Sequence, residues 1–413
     1  MFNPFYLYSS SILIVLGVYQ LNWSNLFPKM SSGLLVFLVM TVILSAYLGF
    51  LSQKQLTKLV DNTGNNIPRN ISSSKSNFSI TSRLLWIITL LIWIGYIIEF
   101  FYVGKIPVIE YIIGRQYDYR TFGIPTFHVL IVTADAFFAV FLSFLFFKLK
   151  KIYLLIQYII CLIPSFLIYS RFLMLEIVLC SFFVFLVISK KIKWKSWVLV
   201  ALCVFILLYG FGLIGNVRSE NQTNQTKNPF DSSLIMEIGG ATNSFKNLPI
   251  SKSFFWSYIY IASPLANLQE TVNKTKKVDY QAKGLIGFVN NNFVFDFISK
   301  RVNGILGIQD KNISQISPLL TAGTVYSKSF VYLKWVGLVL MFLFIIVVNM
   351  IILFILRKSV FLIPALAILD TIMIFNLFQN MLIYSGLSFQ LIYPLIIQLF
   401  LKGRKLTVDG QTI

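Results

Sequence analysis

Long apolar runs separated by short polar breaks dominate the chain. They fall at roughly 3–21, 31–51, 84–103, 127–147, 152–170, 172–189, 197–215, 332–354, 359–378 and 386–401, each near the about 20 residues a helix needs to cross a bilayer. The pattern predicts an all-α polytopic membrane protein of about ten transmembrane helices. One long segment, 216–331, interrupts it. That segment begins polar, RSENQTNQTKNPFDSS, and then holds two aromatic-rich patches, SFFWSYIYIASPLANL at 253–268 and GLIGFVNNNFVFDFI at 284–298. Short patches of this kind suit interfacial or re-entrant helices. If both crossed, the count would rise to twelve. The chain therefore divides into an N-terminal membrane bundle of seven spans (1–215), a large outer loop (216–331) and a C-terminal membrane segment of three spans (332–413).

Charge orients the runs. Lys54, Lys58, Arg69, Lys75 and Arg83 follow the second run, and Lys148, Lys150 and Lys151 follow the fourth. Lys190, Lys191, Lys193 and Lys195 follow the sixth; Arg357 and Lys358 follow the eighth; Lys402, Arg404 and Lys405 follow the last. Every second connection is basic, as cytoplasmic loops are, so both termini are expected in the cytoplasm. Composition agrees with a membrane class: 57% hydrophobic residues, 12% charged and a mean hydropathy of +0.77. The net charge of +20 exceeds what this rule needs, because 13 Lys/Arg between Arg218 and Lys334 lie on the outer side. Solvation of a long loop accounts for such charge; so does attraction of an anionic substrate or headgroup.

Acidic residues narrow the chemistry. Glu99, Asp135, Glu176 and Asp370 fall inside predicted spans, where ionisable groups are costly and face a partner or a cavity. All lie toward the outer half or mid-depth, which predicts a water-accessible pocket facing outward. The competing reading is structural pairing, for instance of Glu176 with Arg171. Cys161, Cys180 and Cys203 sit in apolar runs and read as buried hydrophobes. With one histidine, His128, no imidazole metal site is expected, and no glycine-rich nucleotide loop occurs.

Five arginines are placed outside: Arg115, Arg120, Arg171, Arg218 and Arg301. A guanidinium offers a rigid fork matched to phosphate oxygens, so several converging at the outer surface would suit a diphosphate. Tyr117 and Tyr119 flank the first pair and suit the interfacial belt or a sugar face. Pro125 and Thr126 are expected to start and cap the next helix, leaving His128 in its first turn as a neutral, capping or interfacial imidazole.

The run RQYDYRTFGIPTFH at 115–128, followed by a span, resembles the bacterial O-antigen and capsular polysaccharide repeat-unit polymerases of the Wzy type. SRFLML at 170–175, GNVRSE at 215–220, YIYIASPLANL at 258–268 and LTAGTVY at 320–326 are similar to text in corresponding places of that family. The acidic-glycine turn that often follows the last motif is replaced by SKSFVYLKWVG. The resemblance implies a GT-C-like membrane glycosyltransferase of the bacterial cytoplasmic membrane. Donor and acceptor would be glycans on undecaprenyl diphosphate, with no cofactor, no metal and no nucleic acid. The lipid bilayer is the other partner, and a chain-length regulator is compatible with it. On this reading Arg115, Arg120, Arg171 and Arg218 bind diphosphate, and Glu220 and Asp118 are candidates for the catalytic base. His128, Tyr117, Tyr119 and Arg301 would contact sugar or phosphate. Alternatives are an O-antigen ligase, a flippase or transporter of lipid-linked oligosaccharide, and a non-catalytic scaffold. Ligases typically carry a histidine in the large outer loop, which this loop lacks. A transporter would favour an internal repeat and polar groups reaching both sides.

Overall fold

The computed structural model describes the chain apart from residues 1–2, 66–77, 116, 119–120, 190–193, 224–227, 229, 277–281, 402–405, 409–410 and 413. The described residues are almost all helical. In chain order the helices are α1 (Pro4–Tyr19), α2 (Ser32–Asn65), α3 (Ser82–Val103), α4 (Pro107–Ile112), α5 (Phe127–Leu149), α6 (Ile152–Leu167), α7 (Arg171–Ile188) and α8 (Trp194–Thr223). The interrupting segment forms α9 (Ser233–Ile238), α10 (Asn243–Lys246), α11 (Phe254–Lys274), α12 (Ala282–Phe293) and α13 (Asp296–Leu306). α14 (Ser327–Leu356), α15 (Leu362–Phe375), α16 (Ser385–Ser388) and, after one 3-10 turn, α17 (Ile392–Leu401) complete the bundle.

Every predicted apolar run falls on a helix. Ser32–Asp61, Ser82–Val103, Phe127–Leu149, Arg171–Ile188 and Ser327–Leu356 have the length and composition to cross a membrane. The other five runs fall on apolar helices of 10–17 residues. The lateral surface supports a membrane setting. α2, α3 and α14 leave large apolar side chains uncovered, among them Phe50, Leu90, Phe101 and Phe354. A helix that is apolar all round but covered on one face only is solvated by lipid rather than water. α15 is the opposite case: nearly every side chain from Leu362 to Phe375 is buried, and it packs against α1, α7 and α14.

Local signals place the helix ends. The Asn3 side chain accepts the Phe5 amide at 3.1 Å, with Pro4 in the first turn, and so starts α1. Thr81 caps α3 at 3.2 Å, and Gly104, at φ 69°, closes it with an amide bond to the Phe100 carbonyl. α14 is kinked at Leu333 and Lys334. Gly337 lies opposite the kink; a β-carbon there would stand 2.1 Å from the Ser329 carbonyl oxygen, so the two halves meet this closely only around a glycine.

The two aromatic patches differ. The first lies on α11, which packs against α1, α8 and α14 and buries most of its length. It is therefore integral to the bundle rather than laid on its edge. The second is broken at 294–295 between α12 and α13, so no single helix crosses there.

Backbone pairing sorts the connections into two ends. Strand β1 (Phe78–Ile80) pairs in parallel with β2 (Leu406–Val408), and β2 pairs with β3 (Gln411–Thr412). The C-terminal tail thus meets the segment between α2 and α3. Ser24, between α1 and α2, bridges to Ala241 in the long segment, and the Ser24 hydroxyl donates to the Gly239 carbonyl at 2.6 Å.

Candidate functional site

Glu99 is the last acidic residue of α3 before its glycine cap, and it is fully buried. Both its oxygens are engaged by the stretch that leads into α5. The Ile124 amide donates to Oε1 at 3.1 Å, and His128 Nδ1 lies 2.8 Å from Oε2. The sequence Phe-Gly-Ile-Pro explains the fit. Phe122 packs edge-on against the His128 ring, centroids 5.5 Å apart. Gly123 sits at φ 95°, and a β-carbon on it would stand 2.6 Å from the imidazole and 2.7 Å from Glu99 Oε1. Only glycine admits both this backbone and this approach.

Thr126 does not cap α5 as expected. It sits at φ 73° and makes no side-chain capping bond. Its hydroxyl instead accepts from Arg301 Nη2, on α13, 175 residues further along the chain. α13 is held in that position from its first residue. The Asp296 carboxylate accepts from the Ser385 amide at 3.1 Å and from the Ser385 hydroxyl, and the Asp296 amide donates to the Ile383 carbonyl at 2.9 Å. Phe295 and Phe297 pack edge-on against Phe389.

These contacts enclose a cavity of about 450 Å³ between the start of α5, the α6–α7 turn, α13 and the start of α16. Its rim carries Lys300 and Arg301, both exposed; His128 is on one wall; Glu176 of α7 is at the floor and fully buried. One Glu176 oxygen accepts from Gln390 Nε2 at 3.2 Å, while its Oε2 and the Gln390 Oε1 have no hydrogen-bond partner. A buried acceptor with no donor is expensive unless a ligand or water supplies one. The cavity thus offers cationic donors at its mouth and, on Glu176, one bare acceptor at its base.

The other acids go elsewhere. Asp135 accepts from the Tyr96 hydroxyl at 3.0 Å in the bundle core, and Asp370 is buried on α15. Of the four, only Glu176 lines this cavity, so the expectation of one shared outward pocket is corrected: Glu99 braces the loop and the remaining two belong to the core. Among the described residues no group of three or more His, Cys, Asp or Glu is placed to hold a metal ion.

The predicted arginines do not converge on this cavity as far as they are described. Arg115, exposed, reaches Glu110 of α4 at 3.6 Å. Arg171 does not pair with Glu176; it donates to the Tyr169 hydroxyl at 2.7 Å and stacks on that ring. Tyr169 stacks in turn on Tyr111 of α4, centroids 4.4 Å apart, so Arg115 and Arg171 belong to one surface patch around α4. The Tyr169 phenol is pushed up from its ordinary pKa, first by desolvation and then by Tyr111, against the pull of Arg171. Tyr117 lies under the Lys105 ammonium. Asp118 is exposed, and its backbone carbonyl accepts from the amide and hydroxyl of Thr121. Arg120 and Tyr119 lie outside the described residues, as do the side chains of Arg218 and Glu220, whose backbone continues α8.

Arg301 was legible as an outer arginine but not as the one at the cavity. The Glu99–His128 contact left a fainter signal: the acid lies near the end of one span and the histidine near the start of the next, at matching depth. The chain matches no protein-family model, no curated protein and no solved structure.

Proposed function

We propose that the chain is a polymerase that joins lipid-linked oligosaccharide repeat units at the outer face of a bacterial cytoplasmic membrane. The observation that carries this reading is the cavity's polarity, with Lys300 and Arg301 at an exposed rim and Glu176 at a buried floor. A glycosyl diphosphate matches it: phosphate oxygens meet the cations, and a sugar hydroxyl supplies a donor to the unpaired Glu176 oxygen. The diphosphate is itself the leaving group, so the bond can form without a nucleotide. Cations aimed at it stabilise the charge that develops as it departs. Arg120 and Arg218 keep the diphosphate role that the resemblance implies, and Arg115 and Arg171 form an approach surface beside α4 for the anionic headgroup.

The same reading takes all ten apolar helices as spans, in a GT-C-like arrangement with both termini in the cytoplasm. Pairing of the C-terminal tail with the α2–α3 connection supports a common side for those two segments, and the Ser24–Ala241 bridge supports a common side for the two outer ones. Single cysteines at Asn247 and Lys358, in a background free of native cysteines, report sidedness. An impermeant thiol reagent applied to intact cells should label 247 and spare 358; the reverse would overturn the topology.

Activity is tested with the protein purified in detergent. The substrate is the lipid-linked oligosaccharide extracted from cells lacking this chain. A ladder of lengthened glycans is expected. Transfer to a non-repeat acceptor would make it a ligase, and movement across vesicles without a new bond a transporter.

A further inference from the structure

We infer that Glu99 and His128 form an acid–imidazole pair in which His128 Nε2 is the base that takes the proton from the acceptor hydroxyl. The inference rests on the polymerase reading and goes against the capping role expected for this histidine. Its ground is the geometry of the loop. The Glu99 carboxylate takes one donor on each oxygen, the Ile124 amide at 3.1 Å and the imidazole at 2.8 Å. An amide can only donate, so Glu99 acts as acceptor to it, and the matching assignment puts the ring proton on Nδ1. Nε2 is then a lone pair. Among the described residues nothing hydrogen-bonds to it, although the ring lines the cavity that holds Arg301 and Glu176.

A buried carboxylate that fixes the tautomer of an imidazole, with the opposite nitrogen free in a cleft, is the arrangement that general-base catalysis requires. A purely structural histidine would not need the surroundings seen here. Gly123 is held at positive φ against the ring face, Phe122 braces it edge-on, and a fully buried carboxylate anchors it. Together these hold the ring in one rotation.

The step balances as follows. The acceptor hydroxyl gives its proton to Nε2, and its oxygen forms a bond to the anomeric carbon of the donor glycan. The bond from that carbon to the diphosphate oxygen breaks, and the diphosphate leaves with the electron pair beside Lys300 and Arg301. Glu99 stabilises the imidazolium, which releases its proton to water before the next cycle. Asp118 and Glu220 are not needed in this role.

Two substitutions separate the base from the anchor. His128→Asn keeps a donor where Nδ1 stands and so preserves the bond to Glu99, but it has nothing at Nε2. His128→Gln removes the ring and keeps polar reach. With extracted lipid-linked units as substrate, both should lose at least about 10²-fold in polymerisation, as loss of a general base does. Unfolding temperatures should stay near the parent's. Glu99→Gln should lose less, about tenfold. Because the chain has one histidine, diethyl pyrocarbonate gives a test on the unaltered protein. Inactivation reversed by hydroxylamine is expected. A His128→Asn protein with more than a tenth of parent activity, or full activity after modification, would each overturn the inference while leaving the polymerase reading intact. Absence of polymer from the parent protein would overturn that reading itself.

Discussion

Two arginine-bearing regions face the same end of the bundle, and they differ in what their cations already do. Around α4, Arg171 lies flat on Tyr169 and donates to its hydroxyl, and Arg115 reaches Glu110 from an exposed position. At the cavity, Arg301 donates to the Thr126 hydroxyl and the Phe297 carbonyl, lies over the Phe297 ring, and pairs with no carboxylate among the described residues. Lys300 stands beside it over a buried floor where one Glu176 oxygen is unpaired. A cation already paired with a carboxylate at an exposed surface, as Arg115 is with Glu110, has less charge to offer an anion. One held by neutral groups at a cavity mouth keeps its full charge for a ligand. Enclosure is what distinguishes the second region from the first.

The largest test of this contrast strikes the loop that builds the cavity wall. Gly123→Ala forces a side chain onto a left-handed backbone and into the space of His128 and Glu99. Backbone strain of this kind costs of order 1–3 kcal/mol, so a lower unfolding temperature and more than about 10²-fold lost polymerisation are expected. An alanine variant with parent activity would show that the loop geometry does not matter to the reaction.

Next comes the rim. Arg301→Ala should cost about 10²-fold in polymerisation, and Arg301→Lys should restore little of it, because an ammonium cannot reproduce a forked guanidinium. Full recovery with lysine would reduce Arg301 to a simple point charge.

A smaller effect is expected at α4. Arg115→Ala and Arg171→Ala should each stay within about fivefold of the parent rate, since an exposed ion pair such as that of Arg115 contributes at most about 1 kcal/mol. A hundredfold loss at Arg171 would move the diphosphate site to the α4 patch and restore what the sequence pattern predicts.

The smallest effect is expected at the periphery. The Asp231 carboxylate accepts the Ser233 amide at 2.8 Å, a bond that holds its pKa below the ordinary value. A folded value below the unfolded one stabilises the turn above the unfolded pKa. That contribution is lost as pH falls through the folded value. The protection of the Ser233 amide against hydrogen exchange, relative to its intrinsic rate at each pH, should therefore fall in acid, and Asp231→Asn should weaken this pH dependence while polymerisation is unchanged.

The sequence alone determined that this is a helical membrane chain, because the period and length of apolar runs are set by backbone hydrogen bonding in lipid. The helix ends at Asn3, Thr81 and Gly104 are set within a few residues, but the one cap expected from the sequence, Thr126, is not made, because its hydroxyl is taken by Arg301. The sequence also singled out the stretch ending in Phe-Gly-Ile-Pro-Thr-Phe-His and the outer arginines as places of chemistry. What it could not supply was partnership. Glu99 and His128 are 29 residues apart, and Thr126 and Arg301 are 175 apart. Each pair meets only because α3, α5 and α13 pack at one end of the bundle. The same holds for Glu176, which meets Gln390 rather than the nearby Arg171. Arg171 opens α7 and stacks on Tyr169, whereas Glu176 lies deeper in the same helix and turns to the cavity floor. Spacing along one helix shows which residues can be neighbours, and packing between helices decides which side chains meet.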